Sequence, residues 1–189
     1  TGLWHRRFIL GEWCAAEGAI YDMLDLDRHV RPLPPDEPVI EHYSGLDYGT
    51  GSVTTCWLIA RTDRRLHCVS RWRHDVSQAG RQLTDAEVTE ALDAWLAAQG
   101  VTPRWMFVPQ DAASLQEHMV RTRHLHTRLQ NVVQADQSPG SVLAGIRCVA
   151  SLLGSGRLTF DPALHASGAL DEWFGYSWDP QAQQRGEDR

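Results

Sequence analysis

The chain has 189 residues, 42% of them apolar, eight Trp and a formal net charge of −6, which suits one domain with a full core and excludes a disordered chain. No apolar run approaches the roughly 18 residues needed to span a bilayer and no signal-peptide pattern opens the chain, so no membrane partner and a cytosolic location are expected. All 18 basic residues are arginine, which excludes a lysine-bearing Walker loop but supplies forked donors suited to phosphate.

Residues 1–29 mix apolar and acidic side chains. The stretch Arg31-Pro32-Leu33-Pro34-Pro35-Asp36-Glu37-Pro38 reads as a stiff connector, because proline fixes φ and removes donors. Asp22, Asp25 and Asp27 read as solvated or as contacts to a neighbouring domain. Residues 39–43 predict a strand ending at Ser44-Gly45-Leu46-Asp47-Tyr48-Gly49-Thr50, where the glycines permit tight turns. Residues 53–60 and 66–72 predict two more strands, joined by a short polar link suited to a hairpin. Thr84-Asp85-Ala86-Glu87 forms a capping box, opening a helix with Val88, Ala91, Leu92, Trp95 and Leu96 on one face and Gly100 at its end. A strand follows at 104–108, then a helix over 112–120 and a strand over 127–133. Ser138-Pro139 begins another helix, stopped by Gly154-Ser155-Gly156. A short strand at 157–160 and a last helix over 164–174 complete the pattern. The four cysteines show no C-x-x-C spacing and read as reduced core thiols. Trp4, Trp13, Trp173 and Trp178 read as packing residues.

Three meandering strands followed by alternating helices and strands imply an α/β fold, a mixed sheet flanked by helices with the element order of the ribonuclease H-like fold. In that order, acids on the first strand and on the strand after the first helix lie side by side. Asp47 and Asp111 occupy those stations. Two carboxylates so placed make a hard-oxygen site for Mg²⁺ or Mn²⁺, which points to metal-assisted phosphodiester cleavage. The plainer readings are a turn residue for Asp47 and a helix N-cap for Asp111. Arg121, Arg123 and Arg128, with His118, His124 and His126, form a basic patch that reads either as a phosphate-contacting surface or as a solvated face. Arg61, Arg64, Arg65, Arg71 and Arg73 form a second one.

Taken together, Phe8-Ile9-Leu10-Gly11-Glu12-Trp13, Glu17-Gly18-Ala19-Ile20-Tyr21, Gly45-Leu46-Asp47-Tyr48-Gly49, Asp111-Ala112-Ala113-Ser114-Leu115, Gly145-Ile146-Arg147 and Gly175-Tyr176-Ser177-Trp178-Asp179 resemble the C-terminal nuclease domain of the tailed-phage terminase large subunit. The resemblance implies residues 1–38 as a segment and linker from a preceding ATPase domain, and 39–189 as a ribonuclease H-like nuclease domain. It also implies two-metal cleavage of concatemeric double-stranded DNA in the host cytoplasm, with the terminase small subunit, the portal protein and the ATPase domain of the same polypeptide as partners. Asp47 matches the first-strand metal acid. Asp111 falls in the second acidic motif, where relatives often place the acid two residues earlier, at the position of Pro109. A third acid is expected beyond Gly186-Glu187-Asp188-Arg189. The rival readings are a non-catalytic docking domain for DNA or protein, and another ribonuclease H-like nuclease such as a junction resolvase.

Overall fold

A computed structural model of the chain describes residues 19–177. In chain order the elements are α1 (Leu26–His29), β1 (Glu41–Asp47), β2 (Val53–Arg61), β3 (Leu66–Asp75), α2 (Val76–Ala79), α3 (Asp85–Ala98) and β4 (Trp105–Val108). There follow α4 (Ala113–Thr122), β5 (Val132–Gln134), α5 (Ser141–Gly154), β6 (Leu158–Phe160), α6 (Pro162–Ala166) and α7 (Asp171–Gly175). The strands form a mixed sheet in the order β5-β4-β1-β2-β3-β6. β1 runs antiparallel to β2 and parallel to β4, and β4 runs parallel to β5. This is the α/β architecture implied by the element order, a six-stranded ribonuclease H-like sheet with flanking helices.

The described residues fall into two compact units. The first joins Pro35–Arg64 to Cys68–Gln137 and contains β1, β2, most of β3, α2 to α4, β4 and β5. Strict alternation along β2 buries Thr54, Cys56, Leu58 and Ala60 and leaves Val53, Thr55, Trp57, Ile59 and Arg61 half-buried, as the two-residue period of a strand requires. Leu46, Cys56, Leu58, Met106 and Val108 from the sheet meet Val88, Leu92 and Leu96 of α3 and Leu115 and Met119 of α4 in one cluster. Each such aliphatic side chain contributes about 1.5–3 kcal/mol on burial. α3 starts where its sequence says it should: the Thr84 side chain accepts from the Glu87 N–H, and the Glu87 carboxylate accepts from the Thr84 N–H. Gly100, with φ of 67°, provides the left-handed exit.

Four elements depart from the sequence reading. β3 continues to Asp75, whose side chain caps the short α2 by accepting from Ser77 N at 2.9 Å. β5 is confined to Val132–Gln134. Residues 127–131 leave the strand because the Asp93 side chain holds the Arg128 N–H at 2.9 Å and Gln130 donates to the carbonyls of Arg123 and His126. The last helix is two short ones, interrupted at Gly168 with φ of 72°. Asp111 lies in a 3-10 turn, Gln110–Ala112, and α4 has no side-chain cap, so the N-cap reading of that residue does not hold.

The second unit joins the described residues up to Pro34 with Arg65–His67 and the chain from Ser138 onward. Asp25 is neither idle nor reaching elsewhere: it caps α1 by accepting from Arg28 N at 3.0 Å. His29 is fully buried, and its Nε2 donates to the Leu153 carbonyl at 2.9 Å. Tyr21, Phe160 and Trp173 share ring contacts at 5.1–5.2 Å, which bears out a packing role for Trp173. Trp4, Trp13 and Trp178 lie outside the described residues. Cys56 and Cys68 are buried and Cys148 is exposed, all three as free thiols; burial pushes Cys56 and Cys68 up to about 12, so both remain protonated and inert.

Candidate active site

β1 delivers Asp47. Its buried residues Ser44 and Leu46 point to the core, so Gly45 and Asp47 belong to the opposite face, and Asp47, the last strand residue, is exposed. The loop beyond it is held tightly. A Cβ on Gly49 would come within 2.3 Å of both Ser52 Oγ and the Val53 carbonyl oxygen, so only glycine fits there. Gly51, at φ of 78°, completes the turn. Tyr48 donates to Asp85 Oδ1 at 3.1 Å, tying the loop to the start of α3; burial, then Asp85, raises its phenol above the usual range.

β4 brings the second station alongside. The parallel register sets Tyr43 against Trp105, Ser44 against Met106 and Gly45 against Phe107. Two residues further, the same register aligns Asp47 with Pro109, where β4 has ended, and Asp111 is exposed in the 3-10 turn that follows. The neighbouring β5 supplies a third chain end at this edge: Ala135 N donates to the Val108 carbonyl at 2.8 Å, and Gln110 N donates to Gln137 Oε1 at 2.7 Å. Asp136 lies between these two anchors. The sequence reading does not include it, although an acid just after an apolar strand is the same signal that singles out Asp111.

The register therefore brings the Asp47 and Asp111 segments to one edge of the sheet. Among the described residues, however, no group of three or more His, Cys, Asp or Glu is placed to hold a metal ion. Asp47 has the right chemistry for a hard cation, but the described ligand set is incomplete for a two-ion site.

The arginines divide between two layers. Arg121 closes α4, where it meets Glu117 at 3.4 Å. Arg123 follows that helix, and Arg128 is held by Asp93 and by Thr102, to which its Nη1 donates at 3.2 Å. These three belong to the helical layer that packs on the core face of the sheet. Arg61, Arg71 and Arg73 instead stand on the face shared with Asp47. Arg61 Nε and Arg104 Nη1 both reach Glu41, each at 2.6 Å, and Arg71 lies over the Trp57 ring at 5.7 Å. Arg73 meets Asp75 at 2.9 Å.

Comparison with known proteins supplies a family. No protein-family model matches the chain, and no curated protein does. Among solved structures, the large terminase of a thermophilic bacteriophage matches all of this chain at 31% identity with a TM-score of 0.76. This chain spans 44% of that protein's length. The phage P22 large terminase nuclease domain aligns over 88% of this chain and 82% of its own, at 14% identity and a TM-score of 0.60. The SPP1 large terminase nuclease domain, solved with bound Mn, aligns over 75% of this chain and 72% of its own, at 12% identity and a TM-score of 0.54. The element order, the sheet topology and the likeness to the thermophilic-phage large terminase along all of this chain agree: the chain matches the nuclease domain of the phage terminase large subunit.

Proposed function

We propose that this chain is the divalent-metal-dependent DNA endonuclease portion of a viral DNA-packaging terminase, cutting concatemeric double-stranded DNA. The observation that carries the proposal is the exposed Asp47 at the end of β1, set by parallel register beside the end of β4. The fold around it matches terminase nuclease domains, and one large terminase is 31% identical along this entire chain. The SPP1 domain holds Mn, and the oxygen chemistry of Asp47 suits Mg²⁺ or Mn²⁺ equally.

In this reading Asp47 and, from the adjacent turn, Asp111 would hold the divalent ions, with the remaining carboxylate outside the described residues. Bound divalent ions lower the pKa of a coordinated water and stabilise the departing oxygen. The protein's own part is to hold Asp47 rigidly, through the pairing of β1 on both sides and through the Gly49 loop. In this reading an ATPase domain belongs to the same polypeptide; the thermophilic-phage relative was solved with ADP and with ATP-gamma-S. The small subunit, the portal and the host cytoplasm follow from the same assignment. Among the described residues no helix is long and apolar enough to cross a membrane.

Plasmid nicking with Mn²⁺ tests the proposal. Wild type should nick, and Asp47→Asn should lose at least about 100-fold in rate, as expected when a group acting on the transition state is removed. Equal nicking by both would remove Asp47 from the mechanism. A panel of duplex, junction and hybrid substrates separates packaging endonuclease from resolvase. Absence of any Mn²⁺-dependent stabilisation would favour a docking domain.

A further inference from the structure

Strand parity decides which side chains share a face with Asp47. Asp47 pairs with Thr55 and Gly45 with Trp57 across the antiparallel register. Thr55 and Trp57 therefore stand on the Asp47 face, while Cys56 and Leu58 between and beyond them are fully buried in the core. Arg71 lies over Trp57, which places it on the same face, and Arg73 follows two residues along β3. The α3–α4 layer covers the other side of this unit's sheet, through Leu92, Leu96, Leu115 and Met119.

We infer that Trp57, Arg71 and Arg73 form the surface on which the duplex backbone rests while its phosphate lies at Asp47, and that Arg121, Arg123 and Arg128 do not. The inference rests on the nuclease reading above. Charge complementarity identifies the partner. The chain carries a net charge of −6, which repels a polyanion, so attraction must be local. The guanidinium groups of Arg61, Arg71, Arg73 and Arg104 gather on this face beside the carboxylates of Glu41, Asp47 and Asp75, with Asp111 at its edge. Glu41 is shared between Arg61 and Arg104, and Asp75 is engaged by Arg73.

The Arg71 guanidinium itself lies over the Trp57 ring, which restricts its rotamers, so less entropy is lost when it meets a phosphate. Arg73 uses one edge of its guanidinium on Asp75 and has further donors for an anion. Asp75 is itself held by Ser77, whose N–H and hydroxyl donate to it at 2.9 and 2.6 Å, so the pair is anchored to α2. No base-reading element is required; such a surface touches phosphate and carries no sequence information.

Fluorescence anisotropy with a short labelled duplex in EDTA isolates binding from cleavage. Arg71→Gln/Arg73→Gln keeps the aliphatic stems while removing both charges. It should bind about tenfold more weakly near 0.1 M salt, and its log–log salt slope should be shallower by about 2. Arg71→Lys/Arg73→Lys should restore most of the slope, and Arg121→Ala/Arg123→Ala should match wild type. If the double Gln variant fails to fold by circular dichroism, each single variant should reduce the slope by about 1. Unchanged binding by folded Gln variants, or loss in the Arg121/Arg123 variant instead, overturns the inference. The two readings fail separately: a wild type that binds through these arginines but never nicks loses the nuclease, and one that nicks with unaltered binding after their removal loses the surface.

Discussion

Glu41 shows how much one side chain can organise. It accepts from the Tyr43 hydroxyl, from Arg104 and from Arg61, and in that order these bonds hold its carboxyl down to about 2. An unfolded glutamate titrates at about 4.3. Between those values the unfolded chain binds the extra proton, so stability there rises with pH. The contribution of Glu41 is thus complete above the unfolded value and is lost as pH falls through about 2. Thermal melts from pH ~5 to ~2 should show a flatter acid limb for Glu41→Gln than for wild type, and added salt should narrow the difference. None of this network was legible in sequence, because Glu41, Arg61 and Arg104 converge only once β1 pairs with β2 and the chain returns at β4. Asp47 was legible, because an acid among glycines after a strand needs no long-range information to attract notice. The companionship of Asp136 was not, since it depends on β5 lying beside β4.

α3 carries the clearest local signals and therefore the firmest quantitative expectations. Removing the cap with Thr84→Ala should cost about 1 kcal/mol. Leu92, fully buried between sheet and helix, should cost about 2–5 kcal/mol on truncation to Ala. Urea melts of both variants check these values, and a near-zero effect for Leu92→Ala would contradict the core as described. Helix and strand starts that rest on a cap or on alternation were readable: α3, β2 and β4 lie close to where the sequence put them. Elements that end because of a distant partner were not. The stretch 127–133 has the composition of a strand, yet Asp93 on α3 captures the Arg128 N–H and pulls the first half into a turn. The single long helix expected near the end is broken at Gly168, where a positive φ of 72° overrides the apolar periodicity.

For the whole molecule, pairing order matters more than composition. Chain order is enough for the α/β class, but the insertion of β4 between β1 and β5 is what brings three strand ends to one edge. It also sorts the arginines: those on α4 and those on β3 are indistinguishable by content, and only the register assigns them to opposite faces. If the proposed arginine surface holds DNA on a chain of charge −6, unrelated duplexes of equal length should bind with equal affinity. That affinity should fall steeply over about 50–200 mM salt. Competition anisotropy with two unrelated sequences measures this, and a strong preference for one of them would require base contacts that this face does not provide.

Gly45 gives the arrangement a practical edge. An added Cβ there meets nothing within 4 Å, and its backbone is ordinary extended strand, so neither packing nor conformation demands glycine. It is flanked in register by Trp57 and Phe107, and it opens a notch in the sheet surface two residues before Asp47. A bulky β-branched residue would strengthen the strand, because glycine is a poor strand former, while plugging that notch. Gly45→Val should therefore raise the melting temperature and, on the nuclease reading, slow Mn²⁺-dependent plasmid nicking, uncoupling durability from use at one atom's distance from the backbone.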